Sequence, residues 1–163
     1  MKTQNLAVLV TDIAGFTNAT ARQTREQNAQ WLSTHAALLL PVFQAFGGTV
    51  VRAPQPMHGK VMGDAFLVTF PSPTDAVLCG PVVLDRLWQH NRSAPPLMRL
   101  NVRVVVNMGE VRVDKGGVFG DPVNLAAKVE EVAEGGHITL TEAVFLTMNR
   151  SEAEMEPLGA QAI

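Results

Sequence analysis

Apolar residues follow two rhythms along this chain: short β-branched runs, and longer stretches with helical spacing. Leu6–Val10 is an unbroken apolar run and predicts a buried first strand. Thr17–Gln30 is polar, rich in Ala, Gln, Arg and Glu, and predicts a surface helix. Beyond it, Leu32, Leu39, Val42, Phe43 and Phe46 recur at helical spacing. Pro41 implies a kink there, or a fresh helix start near Leu40, and Gly47-Gly48 stops the helix. Thr49–Arg52 opens a strand. Two prolines then make Ala53–Gly59 a protruding loop or an interrupted strand. Lys60–Met62 and Ala65–Phe70 read as two arms of a hairpin with Gly63-Asp64 at its tip.

The second half repeats the alternation. Asp75–His90 predicts a helix whose buried stripe runs from Ala76 to Leu84, Leu87 and Trp88, with Pro81 as a local distortion. Met98–Val106 is the clearest strand: Leu100, Val102, Val104 and Val106 fall on one face, Asn101, Arg103 and Val105 on the other. Asn107–Glu110 separates it from a short strand at Val111–Val113, and Asp114–Gly117 makes a turn. A helix over Val123–Ala133, with Pro122 in its first turn, precedes a strand at His137–Leu140. A last helix follows at Glu142–Met148, capped by Thr139 or Thr141. The expected fold class is α+β: helices on a mostly antiparallel sheet, built on a ferredoxin-like βαββαβ core with extra C-terminal elements.

Composition narrows the function. With 163 residues and 47% hydrophobic content, residues 1–163 are expected to form a single domain. A formal charge of -2, with no basic run, argues against a general nucleic-acid or anionic-membrane binder. The single cysteine, Cys79, sits among apolar residues and reads as a small core hydrophobe. No signal peptide is evident, and no apolar run approaches a membrane span, so a cytoplasmic location is expected.

The candidate chemistry lies where strands end. Asp12 follows the first strand and precedes a turn at Gly15; Asp64 lies between two apolar stretches. The pair is expected to meet and hold divalent metal over a polyphosphate. Taken singly, Asp12 could instead cap the next helix, and Asp64 could only shape a hairpin. His35, His58, His90 and His137 have no metal-like spacing. Trp31 and Trp88 lie on helical stripes and read as core, Asp121 as a helix cap, and Glu110 as structural or surface.

Several blocks together resemble one family. Val10-Thr11-Asp12-Ile13-Ala14-Gly15-Phe16-Thr17 looks like the opening motif of class III nucleotidyl cyclases, the adenylate/guanylate cyclase catalytic domain. Lys60-Val61-Met62-Gly63-Asp64-Ala65-Phe66, Arg103, Gly109-Glu110-Val111, the run Val118–Lys128 and Gly135-Gly136-His137-Ile138 continue the match in the family's order. The resemblance implies a class III cyclase catalytic-domain fold with catalytic centres between two domains packed head to tail. Asp12 and Asp64, with the main-chain carbonyl of Ile13, would bind two Mg²⁺ or Mn²⁺ ions per site. Gly15, Phe16 and Thr17 would lie along the triphosphate. Lys60 would read the purine, and Asn124 would orient the ribose or the transition state. The implied partners are ATP, or GTP, and a second copy of the chain supplying Lys60, Asn124 and residue 128. A regulatory or heterodimer partner is also compatible. The implied reaction is conversion of ATP to 3′,5′-cyclic AMP and pyrophosphate.

The chain departs from the family's pattern in ways that bear on activity. Lys128 stands where the family has its transition-state arginine; it keeps the charge and loses the planar fork, so turnover about 10²-fold lower is expected. Gly117 stands where an aspartate often helps to read the base, and offers no side chain. The segment from Gly47-Gly48 to Lys60 is longer than usual, and after Glu156-Pro157-Leu158-Gly159 the family's final C-terminal strand is not evident, which would leave an exposed edge. The alternatives to an adenylate cyclase are therefore a weak or inactive nucleotide-binding regulatory dimerisation domain, and a guanylate cyclase or a cyclase half that needs a different partner.

Overall fold

The computed structural model describes residues 2–52, 55–57, 60–62, 64–115 and 117–163, with backbone only at 55–57 and 60–62. Strand β1 (Lys2–Ile13) is central and pairs antiparallel with β5 (Phe66–Phe70) on one side and β6 (Val102–Asp114) on the other. Beyond β5 lies β2 (Thr49–Arg52). Beyond β6 lie β7 (Gly117–Phe119), antiparallel, and β8 (Ile138–Leu140), parallel to it. The fold is the mixed α/β, mostly antiparallel arrangement read from the sequence.

Both faces of β1 are buried, which is why its apolar run is continuous. Ala7, Leu9 and Ile13 belong to the larger core with Val102, Val104, Val106 and Phe66. Helices α2 (Arg25–Ala45) and α3 (Pro73–Ser93) contribute Leu39, Phe43, Val77, Val83 and Leu87 to it. Val8 and Val10 face a smaller core with Leu67, Val105 and Ala126 of α4 (Asp121–Val132). A short α5 (Glu142–Thr147) adds Val144 to the larger core. Residues 153–163 carry no regular secondary structure.

Several local expectations are corrected. The break between the first two helices falls at Gln23-Thr24, after α1 (Phe16–Arg22), and α2 runs through Pro41. Thr24 and Gln27 form a reciprocal capping box there, which sets the start of α2. The stop at Gly47-Gly48 holds: Gly47 has φ 80°, and the Gly48 and Gly47 amides donate to the carbonyls of Phe43 and Gln44. Lys60–Met62 (β4) pairs with Gln55–Met57 (β3), not with β5, so Asp64 is no hairpin tip. Both edges of β5 are already taken, by β1 and β2. Ala53, Pro54, His58, Gly59 and Gly63 lie outside the described residues.

The expected strands at 98–106 and 111–113 are one strand, β6, because β1 pairs with it without a break from Lys2↔Val113 to Ile13↔Val102. Trp31 and Cys79 are core, as read, whereas Trp88 is 59% exposed beneath the Arg92 guanidinium. Asp121 does not cap α4, whose N-cap is Gly120. Thr141 holds the N-cap position of α5, but its hydroxyl donates to Asn107. No helix among the described residues is long and apolar enough to cross a membrane.

Candidate active site

Strand alternation sets the site. Along β1, Val8 and Val10 face α4, and two residues on Asp12 continues that row past the edge of the smaller core. On β6, Val105 faces the same way, and two residues back stands Arg103, directly opposite Asp12 in the register. The two form a forked ion pair: Arg103 Nε donates to Asp12 Oδ1 at 2.8 Å and Nη2 to Oδ2 at 2.5 Å. Nη1 donates to the main-chain oxygen of Glu130 at 3.1 Å, tying α4 to the sheet. The hydrogen bonds with Asp12 are the leading reason that the Arg103 guanidinium is raised above its ordinary pKa.

Asp64 arrives from the other side of β1, two residues before β5 begins. Its Oδ2 accepts the Ile13 amide at 2.6 Å. Burial, reinforced by the charge of Asp12, pushes the Asp64 carboxyl above its ordinary value, against the stabilising bond from Ile13. Asp12, Ile13, Asp64 and Arg103 line one cavity of about 230 Å³, and Gly15, Phe16, Thr17 and Asn18 complete its wall. Gly15 adopts φ 75° at the N-cap of α1, with no side-chain cap, which leaves amides at the helix start unclaimed by a side chain.

The donor set suits a hard cation. The carboxylates of Asp12 and Asp64, with the Ile13 carbonyl that the family resemblance adds, would match the way Mg²⁺ takes one or two carboxylates and fills the remaining positions with phosphate and water. Among the described residues no cluster of three or more His, Cys, Asp or Glu offers a closed all-protein cage. Burial and the charge of Asp12 both raise the Asp64 carboxyl, and a divalent charge between the two carboxylates would oppose that shift.

Asn124, Lys128 and Gly117 are not among the residues that line this cavity. Asn124 and Lys128 lie one turn apart on α4, and both are exposed. Gly117 sits in β7 with φ 131°, so an aspartate there would carry backbone strain. Lys60 lies in β4, and its side chain is outside the described residues. Sequence reasoning assigned Arg103 no role and missed Glu130. An arginine among valines in the clearest strand was the available signal for Arg103. Glu130 gave none: its Oε2 is buried without a partner, and burial, together with the charge of Asp12, pushes its carboxyl up to about 7.

Comparison with known proteins gives the family and the fold. The chain is 48% identical over 160 residues to the serine/threonine-protein kinase pkn2 of Myxococcus xanthus, covering 98% of this chain and 18% of that protein. It therefore spans less than a fifth of that relative. An adenylate/guanylate cyclase/hydrolase from Silicibacter pomeroyi superposes with a TM-score of 0.79 at 26% identity, over 100% of this chain and 90% of that one. The guanylyl cyclase Cya2 shares the fold, with a TM-score of 0.77 at 22% identity over 99% and 89% of the two chains. The family model for the adenylate and guanylate cyclase catalytic domain matches residues 1–163, and the chain belongs to that family.

Proposed function

We propose that this chain is a nucleotidyl cyclase domain that converts a nucleoside triphosphate, ATP in the first instance, to its 3′,5′-cyclic monophosphate and pyrophosphate. The supporting observation is the convergence of Asp12 and Asp64 on one cavity beside the start of α1. When bound, two Mg²⁺ or Mn²⁺ ions would lower the cost of the 3′-alkoxide and stabilise the leaving pyrophosphate oxygen. Asp12, Asp64 and the Ile13 carbonyl would hold them. Amides of Gly15–Thr17 would receive the triphosphate. Arg103, once released from Asp12, would present its guanidinium to phosphoryl oxygens.

Asn124 and Lys128 are exposed, on a helix whose far end touches Arg103. This favours a site completed by a second copy of the chain, packed head to tail, with Asn124 orienting the ribose and Lys128 meeting the charge of the transferred phosphorus. The partner copy's Lys60 would contact the purine. With glycine at 117 the base is read by few side chains, so GTP is an expected second substrate. A product assay with ATP and GTP, each with Mg²⁺ and Mn²⁺, tests the proposal. Cyclic product abolished by Asp64→Asn and raised by Lys128→Arg supports it.

A second reading is favoured by Lys128 and Gly117: a cyclase-like module that binds nucleotide and regulates a larger protein. The kinase pkn2 carries a stretch similar to this chain over a small part of its length, which supports this reading. Tight binding of metal and ATP in calorimetry, with no cyclic product from the parent chain or from Lys128→Arg, selects this reading over catalysis.

A further inference from the structure

A larger cavity, about 510 Å³, lies behind the catalytic one, between α1, the start of α2 and the segment leading into β6. Its volume is in the range of small-molecule sites. Its apolar wall includes Trp31, Leu97 and Leu100, and its charged lining is Arg22 and Arg99, with no carboxylate. Neither guanidinium has an ion-pair partner among the described residues. Gln23 also lines the cavity, and its Nε2 donates to the Leu97 carbonyl at 2.9 Å, which ties α1 to the segment before β6.

The two cavities are mechanically joined. Gly15 and Asn18 line both. Phe16, in the wall of the catalytic cavity, stacks on Trp31, in the wall of the larger one, with ring centroids 6.2 Å apart and planes 8° from parallel. Between them stands α1, seven residues with none fully buried, so little packing opposes a shift of that helix.

We infer that this second cavity binds a small organic anion, a carboxylate or phosphate on an apolar body, and that its occupancy moves Phe16 and the start of α1. The apolar body rests against Trp31 and Leu97. The anionic end meets Arg22 and Arg99. The site shares only Gly15 and Asn18 with the residues lining the nucleotide cavity, and it does not require that the chain be catalytic.

The test is titration of the ¹⁵N-labelled chain, without nucleotide or metal, with 4-phenylbutyrate and octanoate and with the corresponding neutral alcohols. Saturable amide shifts are expected within Ala14–Gln23 and Leu97–Asn101, Phe16 included, with Kd at or below about 1 mM for at least one acid. The acid is expected to bind at least about tenfold more tightly than its alcohol, as a charge-assisted contact implies. The Arg22→Gln/Arg99→Gln double variant, altered at two exposed positions, is expected to lose that advantage with an unchanged unfolding midpoint. No saturable shift with either acid, equal binding of acid and alcohol, or full acid binding by the double variant overturns the site. Saturable binding that leaves the Phe16–Asn18 amides unmoved overturns the coupling.

Discussion

In the metal-free chain, Arg103 occupies both oxygens of Asp12, so a cation must take Asp12 from it. Arg103→Gln removes that competitor and keeps a polar side chain of similar reach. The pair is a fork of two charge-assisted bonds, 2.8 and 2.5 Å, with side chains 29% and 14% exposed. A charged hydrogen bond contributes about 1.5–3 kcal/mol, and the modest exposure argues for the lower part of that range. A difference of about 1.5–2 kcal/mol is roughly 10- to 30-fold in affinity. Nucleotide-free Mn²⁺ binding, followed by the electron paramagnetic resonance of free Mn²⁺ at pH 7.5, should therefore tighten at least about tenfold in Arg103→Gln. The same variant should unfold more readily without metal, because Asp12 loses its counter-charge and the Glu130 carbonyl its donor. Unchanged or weaker Mn²⁺ binding by a folded Arg103→Gln protein would show that Asp12 and the cation do not compete for this arginine.

Three further outcomes follow from the packing. His35 is fully buried with both ring nitrogens unpartnered, and burial lowers it from 6.5 to about 4. Between those values the unfolded chain takes up a proton that the folded chain refuses, so stability falls as pH drops from about 6.5 to 4, by about 3 kcal/mol, and urea titrations of His35→Leu should show that acid loss removed. Glu130 has the opposite sign: its folded value near 7 exceeds the ordinary 4.5, so stability falls as pH rises through that window, and Glu130→Gln in EDTA should be more stable at pH 8 by about 1 kcal/mol after allowance for its partial exposure, with little difference at pH 4. A Cβ on Gly80 would lie 2.5 Å from Ile138 Cδ1, where α3 packs on β8, so Gly80→Ala should cost about 1–3 kcal/mol in thermal or urea unfolding despite the better helix propensity of alanine.

The elements of the fold were legible where the apolar pattern was strong. Leu6–Val10 and Val102–Val106 are strands whose side chains are buried on one or both faces, and periodicity reports burial. Pairing partners were not legible. The hairpin read between Lys60–Met62 and Ala65–Phe70 failed because local turn chemistry says nothing about a distant strand, and both edges of β5 go to β1 and β2. At Pro41 the fresh helix start is not what forms: Leu39, Val42 and Phe43 are buried around it and the helix continues through it.

At the site, Asp12 and Asp64 stood out because each interrupts an apolar stretch. What brings them together, the pairing of β1 with β5 and the hydrogen bond from the Ile13 amide to Asp64, is encoded in no local pattern. Glu130 was invisible for a related reason. On α4 it lies in a run of ordinary helix formers, and only its burial against the sheet, beside the charge of Asp12 from β1, gives it electrostatic meaning.

Whether both carboxylates grip the same ion is most directly measured by anomalous diffraction from crystals of the chain grown with Mn²⁺ and 3′-deoxy-ATP, which lacks the attacking hydroxyl. A manganese peak within coordinating distance of both Asp12 and Asp64, lost in Asp64→Asn, is the expected result. Manganese bound to the nucleotide with neither carboxylate in its coordination shell would contradict it.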